Sequence, residues 1–251
     1  MYLNIFIVIL LGLVFGSFLG AFTYRFPKKI SFVKGRSFCP KCKSKISWFD
    51  NIPVFSYLLL NSKCRNCKNK ISLRYPLIEI FSSVFFLIIY LNFQPDLYKI
   101  VLYSIFYLII ASITVIDLEE GIIPDELIYL GYGLTFFHIL FFNNSVNFQH
   151  ILGGFVLSLS MLLIHLITKG KGMGLGDVKF TLFPATLFIF PYNLIWFFLS
   201  FLIGSIVGII LILIKKAKFG KEIPFGPFLA ISFIMILVWG PLLLKCLINI
   251  L

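Results

Sequence analysis

Charged residues are scarce in this chain of 251 residues, of which they make up only 13%. Soluble globular domains are about 25% charged and about 45–50% apolar, whereas this chain is 60% hydrophobic and has a mean hydropathy of +1.01. The five cysteines are too few for a disulfide-rich secreted scaffold. The composition therefore excludes a soluble domain and a disordered tail, and it indicates a polytopic membrane protein.

Acidic residues are particularly few, with 10 Asp and Glu against 22 Lys and Arg. The imbalance is local, because residues 25–75 contain 13 of the basic residues and a single acid, Asp50. Such an excess is typical of a cytoplasmic loop, which can rest on anionic lipid head groups. We favour this interpretation over a nucleic-acid interface, and we expect membrane lipids but no nucleic acid among the partners.

Long apolar runs predict about eight transmembrane helices, since one span requires roughly 20 apolar residues. The runs cover approximately residues 3–23, 77–93, 100–116, 127–142, 151–168, 178–214 and 225–250, and Pro191 divides the sixth of them. The first run lacks the flanking signals of a cleaved signal peptide, so we expect it to be retained. With eight spans, 20 of the 22 basic residues fall on one side. The positive-inside rule makes that side cytoplasmic and both termini external.

Two Cys-x-x-Cys pairs lie in the basic loop. Cys39 and Cys42 form the first pair, Cys64 and Cys67 form the second, and 21 residues separate them. This spacing is typical of a structural zinc site with four thiolate ligands. A metal would stabilise a loop that is too short for a conventional hydrophobic core. Two disulfides are the alternative, which the reducing cytoplasm disfavours. We therefore predict a closed, structural Zn²⁺ site.

Acidic residues also lie at the predicted ends of two spans. Asp117 directly follows the run 100–116, and Asp177 directly precedes an apolar run. The connection after Asp117 contains four further acids where a basic connection is expected: Glu119, Glu120, Asp125 and Glu126. Ionisable residues at such a depth are costly, so they indicate function.

A glycine-rich turn precedes Asp177. Gly174 and Gly176 permit backbone torsions that other residues avoid and let another chain approach closely, which suits an extended substrate peptide. The turn lacks both the Gly-Lys-Ser/Thr ending and the preceding strand of nucleotide-binding loops.

Asp117 and Asp177 together suit acid–base chemistry. Two carboxylates about 3 Å apart share one proton. The ionised member takes a proton from water, and the protonated member donates to the peptide carbonyl oxygen. The residues alone leave open the alternative that the two acids cap helices or pair with Lys179.

The chain resembles the type IV prepilin leader peptidase/N-methyltransferase family over nearly its whole length. The resemblance includes both Cys-x-x-Cys pairs, the motif Ile-Ser-Trp-Phe-Asp-Asn-Ile-Pro and the motif Gly-Leu-Gly-Asp-Val-Lys. The matching segments are residues 16–27, 36–42, 46–53, 64–67, 71–79, 117, 123–125, 174–179 and 223–227.

The resemblance implies a bifunctional enzyme of the bacterial inner membrane. It implies a GxGD aspartic peptidase that uses Asp117 and Asp177 to cut prepilins and pseudopilins on the cytoplasmic side, after a Gly. It also implies N-methylation of the new N-terminus with S-adenosylmethionine, a function associated with the large loop, to which Glu79 is a candidate contributor. Lys179 belongs to the motif of the substrate loop.

The acidic connection is the better docking surface for a basic leader, because the basic loop would repel it. We therefore include Glu119 and Glu120 in the predicted substrate site.

The predicted organisation is an all-α polytopic membrane protein with a small zinc-stapled cytoplasmic loop domain. Residues 1–24 form the first span, 25–75 the loop domain, and 76–251 a membrane peptidase domain of about seven spans. Two alternatives come from other classes. One is an ion- or proton-coupled transporter that uses both acids as ion sites, and the other is a non-catalytic pilus assembly factor.

Overall fold

The computed structural model describes residues 2–32, 35–142, 148–216 and 223–250. Within these ranges the regular structure is helical, apart from two isolated bridges, Phe38 with Lys45 and Lys63 with Lys70. The helices are α1 (Tyr2–Arg25), α2 (Phe55–Leu59), α3 (Arg74–Phe93), α4 (Leu97–Glu120), α5 (Asp125–Phe142), α6 (Phe148–Ile167), α7 (Leu175–Leu187), α8 (Tyr192–Leu213) and α9 (Gly226–Ile250), with a short 3₁₀ helix at Trp48–Asn51. The prediction of an all-α membrane protein is confirmed.

Six helices in the described ranges are long and apolar enough to cross a membrane, namely α1, α3, α4, α6, α8 and α9. Helices α5 and α7 occupy the other two predicted positions, but α7 has only 13 residues. At 1.5 Å per residue, α7 is about 20 Å long, shorter than the roughly 30 Å of a hydrocarbon core. The number of spans therefore stays a prediction. Lys34, Lys218 and Lys221, which contribute to the predicted charge asymmetry, lie outside the described residues.

The chain divides into two compact units, Met1–Leu108 and Ile109–Leu251. The boundary falls inside α4, so the first unit contains the basic loop with its flanking helices and the second contains both candidate catalytic acids. The finer division at residues 24 and 75 stays a prediction.

In the first unit, α1 packs closely on α3 through three glycines spaced four residues apart. A Cβ added at Gly12 would lie 2.5 Å from the Ser83 Cα, and one added at Gly16 would lie 2.7 Å from the Glu79 Cα. Gly20 continues the same face against Tyr75. Small residues at this spacing let two helix backbones approach, which drives association where lipid removes the hydrophobic effect.

Replacing Gly16 by leucine is expected to lower the free energy of unfolding by about 1–3 kcal/mol, because an overpacked contact costs that much. Thermal unfolding in detergent measures the loss. Gly133→Leu is the matched control, since a Cβ there meets no atom within 4 Å. An equal loss in both variants would contradict the close contact of α1 with α3.

In the second unit, α7 lies against α5, α6, α8 and α9. Phe180 and Phe183 of α7 are almost completely buried. On α6, the Ser158 hydroxyl donates to the Val178 carbonyl at 3.0 Å, and His150 Nδ1 lies 2.9 Å from the Thr186 carbonyl oxygen. These contacts fix the short helix that carries Asp177.

Candidate functional site

Asp117 lies in the last turn of α4 and is buried. Its Oδ2 accepts a hydrogen bond from the Gly226 N–H, at 3.0 Å. Gly226 is the first residue of α9, where the backbone N–H groups lack partners within the helix and carry a partial positive charge. The start of α9 therefore orients this carboxylate.

Asp177 is the third residue of α7 and is also buried. Its Oδ2 accepts a hydrogen bond from the N–H of Gly174, the residue that caps the helix, at 3.2 Å. Its Oδ1 is buried without a hydrogen-bond partner in the described part of the chain. A buried carboxylate oxygen without a partner is unfavourable. One oxygen thus serves the helix start, as the capping alternative predicts, and the other is available to a proton, a water or a substrate atom.

The structure brings Asp117 and Asp177 together in the second unit. Their carboxylates lie close enough for their charges to interact. Two neighbouring acids with different backbone donors can hold different protonation states, which is the arrangement that acid–base chemistry requires.

Gly174 and Gly176 have ordinary backbone torsions, whereas the predicted close approach of a substrate chain stays a prediction. Gly174 has φ −73° and ψ 149°, which any residue adopts, and Gly176 lies within α7 without a left-handed φ. The expectation of unusual torsions is therefore wrong. Space is what these glycines provide, because a Cβ at Gly174 would lie 3.1 Å from Asp177 Oδ2 and one at Gly176 would lie 3.0 Å from the Ile123 Cβ.

Lys179 forms an ion pair with Asp125, whose two carboxylate oxygens lie 2.8 and 2.9 Å from Nζ. The Tyr132 hydroxyl donates to the Lys179 carbonyl at 2.6 Å. The alternative in which Lys179 pairs with the two buried acids is therefore wrong in this structure. Instead, its ion pair joins the starts of α5 and α7.

Glu119 and Glu120 are the last residues of α4, and both are exposed. They follow Asp117 within one helical turn. Both side chains therefore lie at the surface, close in the chain to the buried Asp117.

The four cysteines of the basic loop lie together, with their Sγ atoms all within 4.8 Å of one another. The Sγ atoms of Cys39 and Cys67 are 3.9 Å apart, and all four thiols are free. Tetrahedral zinc with Zn–S bonds of about 2.3 Å separates its ligand sulfurs by about 3.8 Å. The donor set and its spacing therefore fit Zn²⁺.

The two cysteine pairs share one backbone arrangement. The Lys43 N–H donates to the Cys39 carbonyl at 2.9 Å, and the Lys68 N–H donates to the Cys64 carbonyl at 3.0 Å. Lys43 and Lys68 both have a left-handed φ, near +60°. These matched turns aim two thiols from each pair at one point.

Local hydrogen bonds favour thiolate at part of this cluster. The Ser44 hydroxyl and backbone N–H lower the pKa of Cys42 to about 6. The Cys67 backbone N–H also lowers the pKa of Cys64, whereas burial raises the pKa of Cys39 to about 11. A bound cation would favour thiolate at all four positions.

Glu79 lies in the second turn of α3 and is buried. Its Oε2 accepts the Val54 N–H at 2.7 Å, and the Ser17 side chain also hydrogen-bonds to the carboxylate. The candidate for methyl transfer therefore contacts both α1 and the basic loop.

Comparison with known proteins shows to which protein family the chain belongs. Residues 102–209 match the model of the type IV leader peptidase family, and residues 10–93 match the bacterial peptidase A24 N-terminal domain. A protein of Vibrio cholerae named prepilin leader peptidase/N-methyltransferase is 31% identical over 94% of this chain and 96% of its own length. The chain belongs to the type IV leader peptidase family. Proteins of the same name from Pseudomonas aeruginosa and Aeromonas salmonicida are 29% and 30% identical over 92% and 93% of this chain. No solved structure matches it.

The sequence did not identify Gly226 as part of the candidate active site. The match to the type IV leader peptidase model ends at residue 209, so Gly226 lies beyond it. The available signal was the segment 223–227, which the family resemblance includes and in which the glycine lies between Pro224 and Pro227 at the start of an apolar run.

Gly226→Ala is expected to reduce leader cleavage about 10²-fold, since a shift near 1 Å in a reacting group costs that much. A Cβ at Gly226 would lie 2.7 Å from Asp117 Oδ2, so the carboxylate must move. Cleavage rates in detergent measure the effect, with Gly133→Ala as the control. A wild-type rate in Gly226→Ala would contradict the positioning of Asp117 by this residue.

Proposed function

We propose that this protein is a membrane aspartic endopeptidase that removes the leader of prepilins and pseudopilins after a Gly and then N-methylates the new N-terminus. The observation that carries the peptidase assignment is that Asp177 interacts with the charge of Asp117 while its buried Oδ1 has no hydrogen-bond partner among the described residues. The names of the relatives from three bacterial genera support both activities.

The two acids divide the work of peptide hydrolysis. Asp117, held by the Gly226 N–H, acts as general base on a water molecule. Asp177 carries the shared proton on Oδ1 and donates it to the peptide carbonyl oxygen. The water oxygen forms the new bond to the carbonyl carbon. The C–N bond then breaks as the amine takes the proton from Asp117, while the former carbonyl oxygen returns its proton to Asp177 and a carboxylic acid is left.

Methyl transfer is assigned to the first unit, with S-adenosylmethionine as the donor. The zinc-stapled loop would provide the rigid part of this site, and Glu79 is the candidate carboxylate. Structural Zn²⁺ bound by Cys39, Cys42, Cys64 and Cys67 would hold the two halves of the loop together.

The protein is placed in the bacterial inner membrane with the large loop and the peptidase site on the cytoplasmic side. Both termini then lie outside. The distribution of Lys and Arg supports this orientation.

One assay tests the proposed function. Purified protein is incubated with a prepilin whose basic leader ends in Gly and with S-adenosylmethionine labelled on its methyl group. We expect release of the leader and label on the N-terminus of the mature pilin. Intact prepilin in the presence of folded enzyme would contradict the proposal.

Glu119→Lys/Glu120→Lys is expected to raise the KM for prepilins with basic leaders, because two attractive charges become repulsive. Lower salt should enlarge the difference. A prepilin whose leader lysines are replaced by glutamine is the control, and its KM should change little. Equal KM changes for both substrates would exclude an electrostatic role for these residues.

A further inference from the structure

The short helix α2 carries an exposed apolar face within the basic loop. Phe55, Leu58 and Leu59 are spaced by three and four residues, so they lie on one side of the helix. Their exposed fractions are 61%, 64% and 80%. A group of large exposed apolar side chains indicates a surface that is covered by a membrane or by another molecule.

A hydrogen bond holds the start of α2 beside a predicted span. The Val54 N–H donates to Glu79 Oε2 at 2.7 Å. Glu79 lies five residues into α3, or about 8 Å along its axis. Because α3 is apolar and long enough to cross a membrane, this contact places Val54 alongside the flank of the span rather than beyond its end.

The backbone at this contact is strained. Val54 has φ +61° and ψ −49°, and the Phe55 N–H donates to the Pro53 carbonyl at 2.6 Å. This three-residue γ-turn is rare and especially unfavourable for a β-branched residue. The bond to the buried Glu79 stabilises the turn, and α2 begins directly after it.

The surroundings of α2 suit the head groups of an anionic leaflet. Residues 25–75 combine 13 Lys and Arg with one acid. Trp48, in the 3₁₀ helix that contacts α2, is 76% exposed. Tryptophan and basic side chains are enriched where protein meets the membrane–water boundary. Both ends of the loop also continue into predicted spans, so both ends stay at the membrane surface.

We propose that α2 is an interfacial membrane anchor whose partner is anionic phospholipid. Phe55, Leu58 and Leu59 lie among the acyl chains, while lysine and arginine side chains of the loop contact the head groups. The hydrogen bond from the Val54 N–H to Glu79 fixes how deep α2 lies in the membrane. The anchor holds the loop against the bilayer and does not depend on either proposed activity.

Site-specific quenching in nanodiscs tests the anchor with the full-length protein. A fluorescent amino acid replaces Leu59 in one variant and Lys45 in the other, which is an exposed position near the first cysteine pair. The nanodiscs contain phosphatidylethanolamine and phosphatidylglycerol, with or without a doxyl-labelled acyl chain, and iodide is the aqueous quencher. Each disc holds one copy of the protein.

We expect the lipid quencher to act severalfold more strongly on the probe at position 59 than on the probe at position 45, and iodide to show the opposite order. Replacing phosphatidylglycerol by phosphatidylcholine should reduce the lipid quenching at position 59. Equal iodide quenching at both positions would overturn the proposal. Protection of position 59 from both quenchers would also overturn it, because a protein surface would then cover α2.

Discussion

Asp177→Asn is expected to leave a prepilin uncleaved, with a rate at least about 10³-fold below that of the unchanged protein. An amide cannot supply the proton that Asp177 Oδ1 is proposed to donate to the peptide carbonyl oxygen. Its Oδ can still accept the Gly174 N–H, so the start of α7 is retained. Asp117→Asn should give a similar loss, since an amide cannot take a proton from water. The measurement is leader release by purified protein.

Methyl transfer provides the control for this pair of variants. A pre-cleaved pilin and labelled S-adenosylmethionine should give wild-type methylation in both, because the two activities are proposed to lie in different units. Folding is thereby verified in the same sample. Normal cleavage in either variant would contradict a catalytic role for the substituted acid, and loss of both activities would contradict separate sites.

Removal of one of the proposed zinc ligands is expected to abolish methyl transfer. Cys39→Ser removes one of four thiolates from a cluster in a loop without a conventional core, so the loop should lose its bound metal and its fixed structure. Metal analysis should give about one Zn²⁺ per chain before the change and none after it. Limited proteolysis should then cut within residues 25–75.

Cys246→Ser is the matched control, because Cys246 is exposed and lies outside the cluster. It should retain zinc, protease resistance and methylation. Leader cleavage should persist in Cys39→Ser, since both acids lie in the second unit. Unchanged metal content in Cys39→Ser would contradict the tetrathiolate site.

Helix positions and the cysteine cluster were predictable because each depends on local patterns. Apolar runs predicted the positions of α1 and of α3 to α9, and the Cys-x-x-Cys spacing predicted four neighbouring thiols. Contact with lipid requires long runs of apolar residues, and a metal site requires ligands at short spacing, so both features are visible in the sequence.

Tertiary contacts within each unit were less predictable. The sequence suggested torsional freedom at Gly174, whereas the structure requires space there for the Asp177 carboxylate. Nothing local indicates that Gly226 donates to an acid 109 residues earlier in the chain. By contrast, the four-residue spacing of Gly12 and Gly16 is itself a sequence signal for close helix contact.

The central claim is that Asp117 and Asp177 act on one scissile bond through a shared water. Cryo-electron microscopy of the full-length protein with an uncleavable prepilin analogue tests it most directly. We expect both carboxylates within hydrogen-bond distance of the same peptide group, with Asp177 Oδ1 on the carbonyl oxygen and Asp117 on a water beside the carbonyl carbon. A bound prepilin whose scissile bond lies out of reach of either acid would contradict the account.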